Sequence, residues 1–208
     1  MEDRSRFLAT RRTDEELYER LNNREKYLPE TVEASLEELK SRGESFSDEL
    51  LKVIAEDMEA RRHQAASPTG YDSLFNNSDK LKQVEDPDAP AFYSKRAIYA
   101  FCILFSVLFG SIMFAMNVDK SVKKINIIWV ILYGIAFTAA EYILAQSLRM
   151  NFGIAFILGI AGAYPLNYFM WQSFLGKATL YRVRPIWVPL IVGVAISALV
   201  LWSMLQTV

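Results

Sequence analysis

Cysteine and histidine occur once each in this chain of 208 residues, and the two scarcities remove whole classes of chemistry. Cys102 has no partner in the chain, so neither an internal disulfide nor a Cys-based metal cluster can form. His63 follows Arg61 and Arg62 with no cysteine nearby, and a histidine meeting a helix C-terminal dipole is a simpler reading than a ligand. A glycine-rich phosphate loop, a nucleophile elbow, a His-Glu metal helix, paired intramembrane carboxylates and an arginine-rich voltage sensor are all missing. The apolar segments show no inverted repeat of the transporter kind. No catalytic residue, metal site or cofactor is therefore expected, and the sequence argues against an enzyme.

Charge is lacking in one half only. Through Arg96 the chain carries 16 Lys and Arg against 22 Asp and Glu, a net of −6. The remaining 112 residues hold 7 basic and 2 acidic side chains, almost all in short clusters between long apolar runs. A soluble domain built from that half would have no charged face to show water, so its solvent is expected to be lipid. The acidity of the polar half disfavours nucleic acid as a partner.

What the polar half does contain is helix punctuation. Thr13-Asp14-Glu15-Glu16 is a capping box, a hydroxyl followed three residues later by a carboxylate, and predicts a helix over about 14–22. Pro29 suits a first helical position and Gly43 a stop, giving a helix over 29–42 with Val32, Leu36 and Leu39 on one face. Phe46 and Leu51 form a hydrophobic staple around Ser47, opening a helix over 48–62 that presents Leu50, Leu51, Ile54 and Met58. Met1 to Arg12 has no apolar stretch of the signal-peptide kind. Residues 1–62 are thus expected as a small, acidic, three-helix domain of marginal stability. From 63 to 94 the sequence turns to Ser, Pro, Asn, Asp and Gly, as in Asp86-Pro87-Asp88-Ala89-Pro90, and is expected to be a flexible linker.

The other half, 95–208, divides into four apolar runs, 97–116, 125–148, 152–175 and 186–208. Each meets the roughly 20 residues that a helix needs to cross a bilayer core about 30 Å thick. The expected fold class is all-α: a polytopic membrane protein with a four-helix transmembrane bundle behind the soluble domain and its linker. Small residues four apart (Ser106 and Gly110, Gly134 and Thr138, Gly159 and Ala163, Gly193 and Ser197) mark where helices come close. Pro165 is expected to kink the third run.

Two rules conflict over orientation. With four crossings and the N-terminus in the cytoplasm, the inner face carries Lys95, Arg96 and Arg149. The outer face then takes Lys120, Lys123, Lys124, Lys177, Arg182 and Arg184, against the positive-inside rule. The reverse arrangement would require export of about 95 polar residues without a signal, and the expectation is a cytoplasmic N-terminal domain.

Glu141 is the one acidic residue inside an apolar run, and Thr138, Tyr142 and Gln146 stand near it. An ionised group there is costly and points to proton or cation coupling, or to a hydrogen bond that fixes helix register. Tyr164, Asn167 and Tyr168 surround Pro165, and a hairpin of the second and third runs is expected to bring them toward Glu141 as a polar pocket. Lys95, Arg96, Lys123, Lys124, Arg182, Arg184 and Trp187 are candidate interfacial or lipid-contacting residues.

The order Thr13-Asp14-Glu15-Glu16-Leu17, Tyr27-Leu28-Pro29-Glu30-Thr31-Val32-Glu33-Ala34 and Glu38-Leu39-Lys40-Ser41-Arg42-Gly43 ahead of a small multi-span domain resembles a family of uncharacterised bacterial inner-membrane proteins. The stretches from Gly110 through Asn117 and from Tyr181 through Leu190 are similar as well. The resemblance implies a multi-pass protein of the bacterial inner membrane and no particular activity. Two functions are expected from the residues: a non-enzymatic accessory or scaffold protein whose tethered helices bind a partner at the membrane surface, or a small proton- or ion-coupled transporter or channel subunit using Glu141. Either implies the lipid bilayer and a membrane-protein partner or a homo-oligomer.

Overall fold

A computed structural model describes residues 2–66, 80, 82–118, 125–148, 152–176 and 178–206. These are mostly helical, as the apolar and amphipathic periods predict. The chain forms two compact units. One holds Met1–Thr69, Lys80–Ala91 and Lys177–Val183, and the other Phe92–Gly176 and Arg184–Val208.

The first unit is built on α1 (Glu2–Ala9), α2 (Asp14–Asn22), α3 (Pro29–Ser41) and α4 (Asp48–Ala66). The capping box at Thr13 forms in both directions, with its hydroxyl accepting from Glu16 N–H at 3.3 Å and its own N–H donating to the Glu16 carboxylate at 3.2 Å. α3 starts at Pro29 and ends in a Schellman motif. Glu44 N–H reaches Leu39 O at 3.1 Å and Gly43 N–H reaches Lys40 O at 3.1 Å, with Gly43 at φ 99°. Leu17, Leu21, Val32, Leu39, Ile54 and Met58 close the core, with Phe46 packed against it.

Three expectations need correction here. α1 lies ahead of the three expected helices, in a stretch where none was expected, and it contributes Ala9 to the core. Leu50, assigned to the buried face of the third helix, is 40% exposed: it lies in the first turn of α4, one turn before the buried Ile54 on the same stripe. α4 also runs on to Ala66 instead of ending near Arg62. Arg61 does not act there as a stop signal; its guanidinium donates sideways to the carbonyls of Glu25 at 3.2 Å and Tyr27 at 2.8 Å, around the 3-10 turn Arg24–Lys26.

The expected linker is divided. Residues 63–66 are helical, 67–79 lie outside the described residues, and 82–91 belong to the helical unit. Asp86, fully buried, accepts Leu28 N–H at 3.0 Å at the start of α3 and Asp88 N–H at 2.9 Å. Asp88 then reaches Arg20 at 3.0 Å and Arg12 at 3.1 Å. The turn-forming composition of Asp86 to Pro90 is real, but its carboxylates satisfy buried donors that lie about 60 to 75 residues away in sequence. A segment from between the third and fourth apolar runs joins the same unit: Tyr181, fully buried, donates its N–H to Lys82 O at 3.0 Å and accepts from Val84 N–H at 3.0 Å. The chain passes between the units in β1 (Ala91–Phe92) and after β2 (Arg182–Val183).

The second unit contains α5 (Lys95–Leu104), α6 (Val107–Val118), α7 (Asn126–Leu148), α8 (Phe152–Pro165), a π-helical turn (Leu166–Met170), α9 (Trp171–Phe174) and α10 (Trp187–Gln206). Among the described residues, two helical stretches are long and apolar enough to cross a membrane, Asn126–Ser147 and Gly153–Phe174, with 11% and 28% of them buried. The run 97–116, expected as one continuous span, is broken at Phe105-Ser106 into α5 and α6. Ser106 ends the apolar period and starts α6 by accepting Phe109 N–H on its hydroxyl at 3.1 Å. Pro165, expected to kink the third run, sits where the α-helix gives way to the π turn. The nearby carbonyls of Gly162 and Ala163 accept Tyr133 Oη–H at 2.8 Å and the Asn167 side-chain amide at 3.1 Å.

α5 and α6 lie against each other as an antiparallel pair. The rings of Phe101 and Phe109 stack with centroids 5.5 Å apart. Gly110 leaves no room for a Cβ beside Cys102 Sγ. The small residues that the sequence marks as contact points face this pair. A Cβ on Gly134 would meet Ser111 at 2.6 Å, one on Gly159 would meet Ile103 Cα at 3.1 Å, and one on Gly193 would meet the Phe105 ring at 2.8 Å.

Candidate functional site

α7 carries one packed face, on which Val130, Gly134, Thr138 and Glu141 follow at intervals of three and four. Thr138 Oγ1 accepts Leu108 N–H at 3.0 Å, satisfying a donor at the start of α6 that has no intrahelical partner. Glu141 is half-buried one turn farther on, whereas Tyr142 and Gln146 are exposed.

The expected pocket joining Glu141 to Tyr164, Asn167 and Tyr168 does not form. The Tyr133 to Gly162 hydrogen bond fixes the register of α7 against the antiparallel α8, and this places Glu141 level with residue 154 and Asn167 level with residue 128. Thirteen residues separate those levels, about 20 Å along the helix axis. Tyr164 and Tyr168 stack instead on each other, centroids 5.4 Å apart, with Phe169 edge-on to both. Asn167 is buried, and its carbonyl oxygen has no hydrogen-bond partner among the described residues, as is true of Ser111 Oγ.

A second polar feature, which the sequence reading missed, lies where the second unit begins. Asn117, fully buried, clasps the backbone of Tyr93. Its Oδ1 accepts Tyr93 N–H at 2.8 Å, and its Nδ2 donates to Tyr93 O at 2.9 Å. Beside it Lys95 Nζ stands 5.4 Å from the centre of the Trp171 ring, which meets Phe92 edge-on at 6.3 Å and Phe114 at 5.9 Å. Arg184 lies over the Tyr93 ring at 4.9 Å and donates its N–H to Phe92 O at 2.7 Å. Lys95 is buried and Trp187 and Arg182 are exposed, so the interfacial candidates do not behave alike. Arg96 is half-buried, and Lys123 and Lys124 lie outside the described residues. The signal that would have found Asn117 was a carboxamide near the end of an otherwise apolar run, where water is scarce and a backbone partner is the cheapest satisfaction.

On the helical unit, a groove of about 540 Å³ is lined by Glu33, Ala55, Glu59, Arg62, His63 and Ala66. Arg62 pairs with Glu33, and His63 Nε2 lies 3.7 Å from Glu59, one turn earlier on α4. No group of three or more potential metal ligands occurs among the described residues. Burial, together with a hydrogen bond to Glu19, pushes the Tyr27 hydroxyl up to about 12, and burial lowers the Arg61 guanidinium from its ordinary value. Both groups sit where the 3-10 turn meets the core.

No protein-family model, curated protein or solved structure matches this chain.

Proposed function

We propose that this is a multi-pass integral protein of a bacterial inner membrane. It acts as a non-enzymatic accessory protein whose N-terminal helical unit binds a partner protein at the membrane surface. The observation that carries this reading is the make-up of that unit. Segment 82–91 is bonded into it through Glu85 N–H to Lys26 O, Leu28 N–H to Asp86 and Arg20 to Asp88, and segment 177–183, from between α9 and α10, joins segment 82–91 through Tyr181 with Lys82 and Val84. A helical unit built in this way takes up chain from before the first apolar helix and from the connection ahead of α10, so two separate stretches of the chain belong to it. Its α4 turns Leu50, 40% exposed, and Val53, 50% exposed, outward, an apolar surface that suits a protein partner better than a small substrate. Bilayer insertion is supported by the bare apolar flanks of α7 and α8, since a soluble chain rarely exposes so much contiguous apolar surface.

Gentle detergent extraction of the full chain tests this. A partner protein is expected to co-purify, and the Leu50→Ser and Val53→Ser double variant is expected to retain at least tenfold less of it. Recovery of a lone, monodisperse homo-oligomer refutes the accessory role.

The ion-coupled reading rests on Glu141, half-buried on the packed face of α7. Asn167 and Tyr168 stand about 20 Å away along the helix, so the polar set that the coupling reading drew on is not gathered at Glu141. Glu141→Gln is expected to leave any phenotype of the protein unchanged. Loss of a proton- or ion-linked phenotype in that variant favours the transporter instead.

A further inference from the structure

We propose that α5 and α6 form a re-entrant hairpin that enters and leaves the bilayer on one face. The chain then crosses only three times, and the hairpin opens on the basic, cytoplasmic face. This inference rests on the membrane reading above and adds to it the path of the chain and the side on which each end lies.

Length argues first. α5 has 10 residues and α6 has 12, about 15 and 18 Å of helix, so each reaches only half-way through a hydrocarbon core of about 30 Å. Their pairing argues second. Partners run from Tyr93 with Asn117 at the open end, through Phe101 with Phe109, to the turn at Phe105-Ser106. The start of α5 and the end of α6 therefore lie together, which a single crossing forbids. The neighbours argue third. The hairpin tip meets the other helices well inside their ends, with Leu108 on Thr138 of α7, Ile103 under Gly159 of α8 and Phe105 against Gly193 of α10. The open end meets Trp171, at the end of the α8–α9 span. Arg184, which leads into α10, also lies at that end, on Phe92 and Tyr93. A broken helix at membrane depth is tolerated when it is covered by protein, and the tip is covered on three sides.

Three crossings, by α7, by α8 through α9 and by α10, then remove the conflict over orientation. Lys95, Arg96, Lys120, Lys123, Lys124, Lys177, Arg182 and Arg184 fall in connections at the open end, and Arg149 alone falls at the other. Eight cations against one satisfies the positive-inside rule with the helical unit in the cytoplasm, where four crossings gave three against six. The same eight cations meet the leaflet whose surface is held negative by anionic headgroups.

Single cysteines in a Cys102→Ala background test the path, read with a membrane-impermeant maleimide on intact cells and on opened membranes. Glu44→Cys and Ile125→Cys are expected to label only once the membrane is opened, and Gln206→Cys is expected to label in intact cells. Four crossings reverse the last two: Ile125→Cys then labels from outside and Gln206→Cys from inside, which overturns the proposal, as does labelling of any one position from both faces. Release of the chain by alkaline carbonate is a different failure and removes the membrane reading itself.

Discussion

Replacing Asp88 with alanine is expected to destabilise the helical unit by about 3–5 kcal/mol, the cost of leaving a buried charge without its partner. The side chain of Arg20 is 3% exposed, and Asp88, 16% exposed, is its ion-pair partner at 3.0 Å. The face of Tyr27 also receives the guanidinium, 5.4 Å from the ring centre, but a ring does not neutralise it. Arg12, which shares Asp88 at 3.1 Å, would keep only its longer contact to Glu16 at 3.7 Å in the same substitution. A small helical unit of ordinary stability has about 5 kcal/mol or little more to lose, so the variant unit should be unfolded in a sizeable fraction of molecules. Hydrogen exchange of the α2 and α3 peptides in the intact, detergent-solubilised chain measures this. Glu37→Ala is the reference. Its pair with Arg6 is exposed on both sides and should be worth no more than about 1 kcal/mol. An Asp88→Ala effect that small would mean that Arg20 finds water or another acceptor on relaxation.

The contrast between those two carboxylates explains how much of the fold was legible in the sequence. Elements specified within a few residues were readable: the capping box at Thr13, Pro29 at the head of α3, Gly43 at its end and the long apolar period of α7. What escaped depends on partners far away in the chain. Asp86 and Asp88 read as turn formers because their donors, Leu28 N–H and Arg20, lie 58 and 68 residues earlier. The break at Phe105-Ser106 escaped for a different reason. Hydropathy counts apolar side chains, and Phe101, Phe105 and Phe109 are apolar whether the helix continues or folds back to bring their rings within 5.5 Å of one another. Glu141 was legible as an anomaly, yet its setting was not. The distance to Asn167 follows from a register that one tyrosine hydroxyl fixes on one carbonyl.

Replacing Asn117 with leucine is expected to open the α5–α6 pair, at a cost of about 2–6 kcal/mol. The side chain holds both backbone groups of Tyr93, and each buried group left unpaired costs about 1–3 kcal/mol. Leucine fills nearly the same volume, so the loss is one of hydrogen bonds and not of packing. Tyr93 and Asn117 are both buried by protein, so no water reaches those groups easily and the upper part of the range applies. Ser111→Ala separates this from a general intolerance of α6. Ser111 is as buried as Asn117, but its hydroxyl has no partner among the described residues, so removing it should be nearly neutral or slightly stabilising. Unfolding of the full chain with increasing mole fraction of sodium dodecyl sulfate, followed by tryptophan emission, reports on the pair, because Trp171 lies against Phe92 and Phe114 at its open end. A large shift for Asn117→Leu with none for Ser111→Ala assigns the closure of the hairpin to this one carboxamide. Equal shifts would place it in the apolar contacts alone.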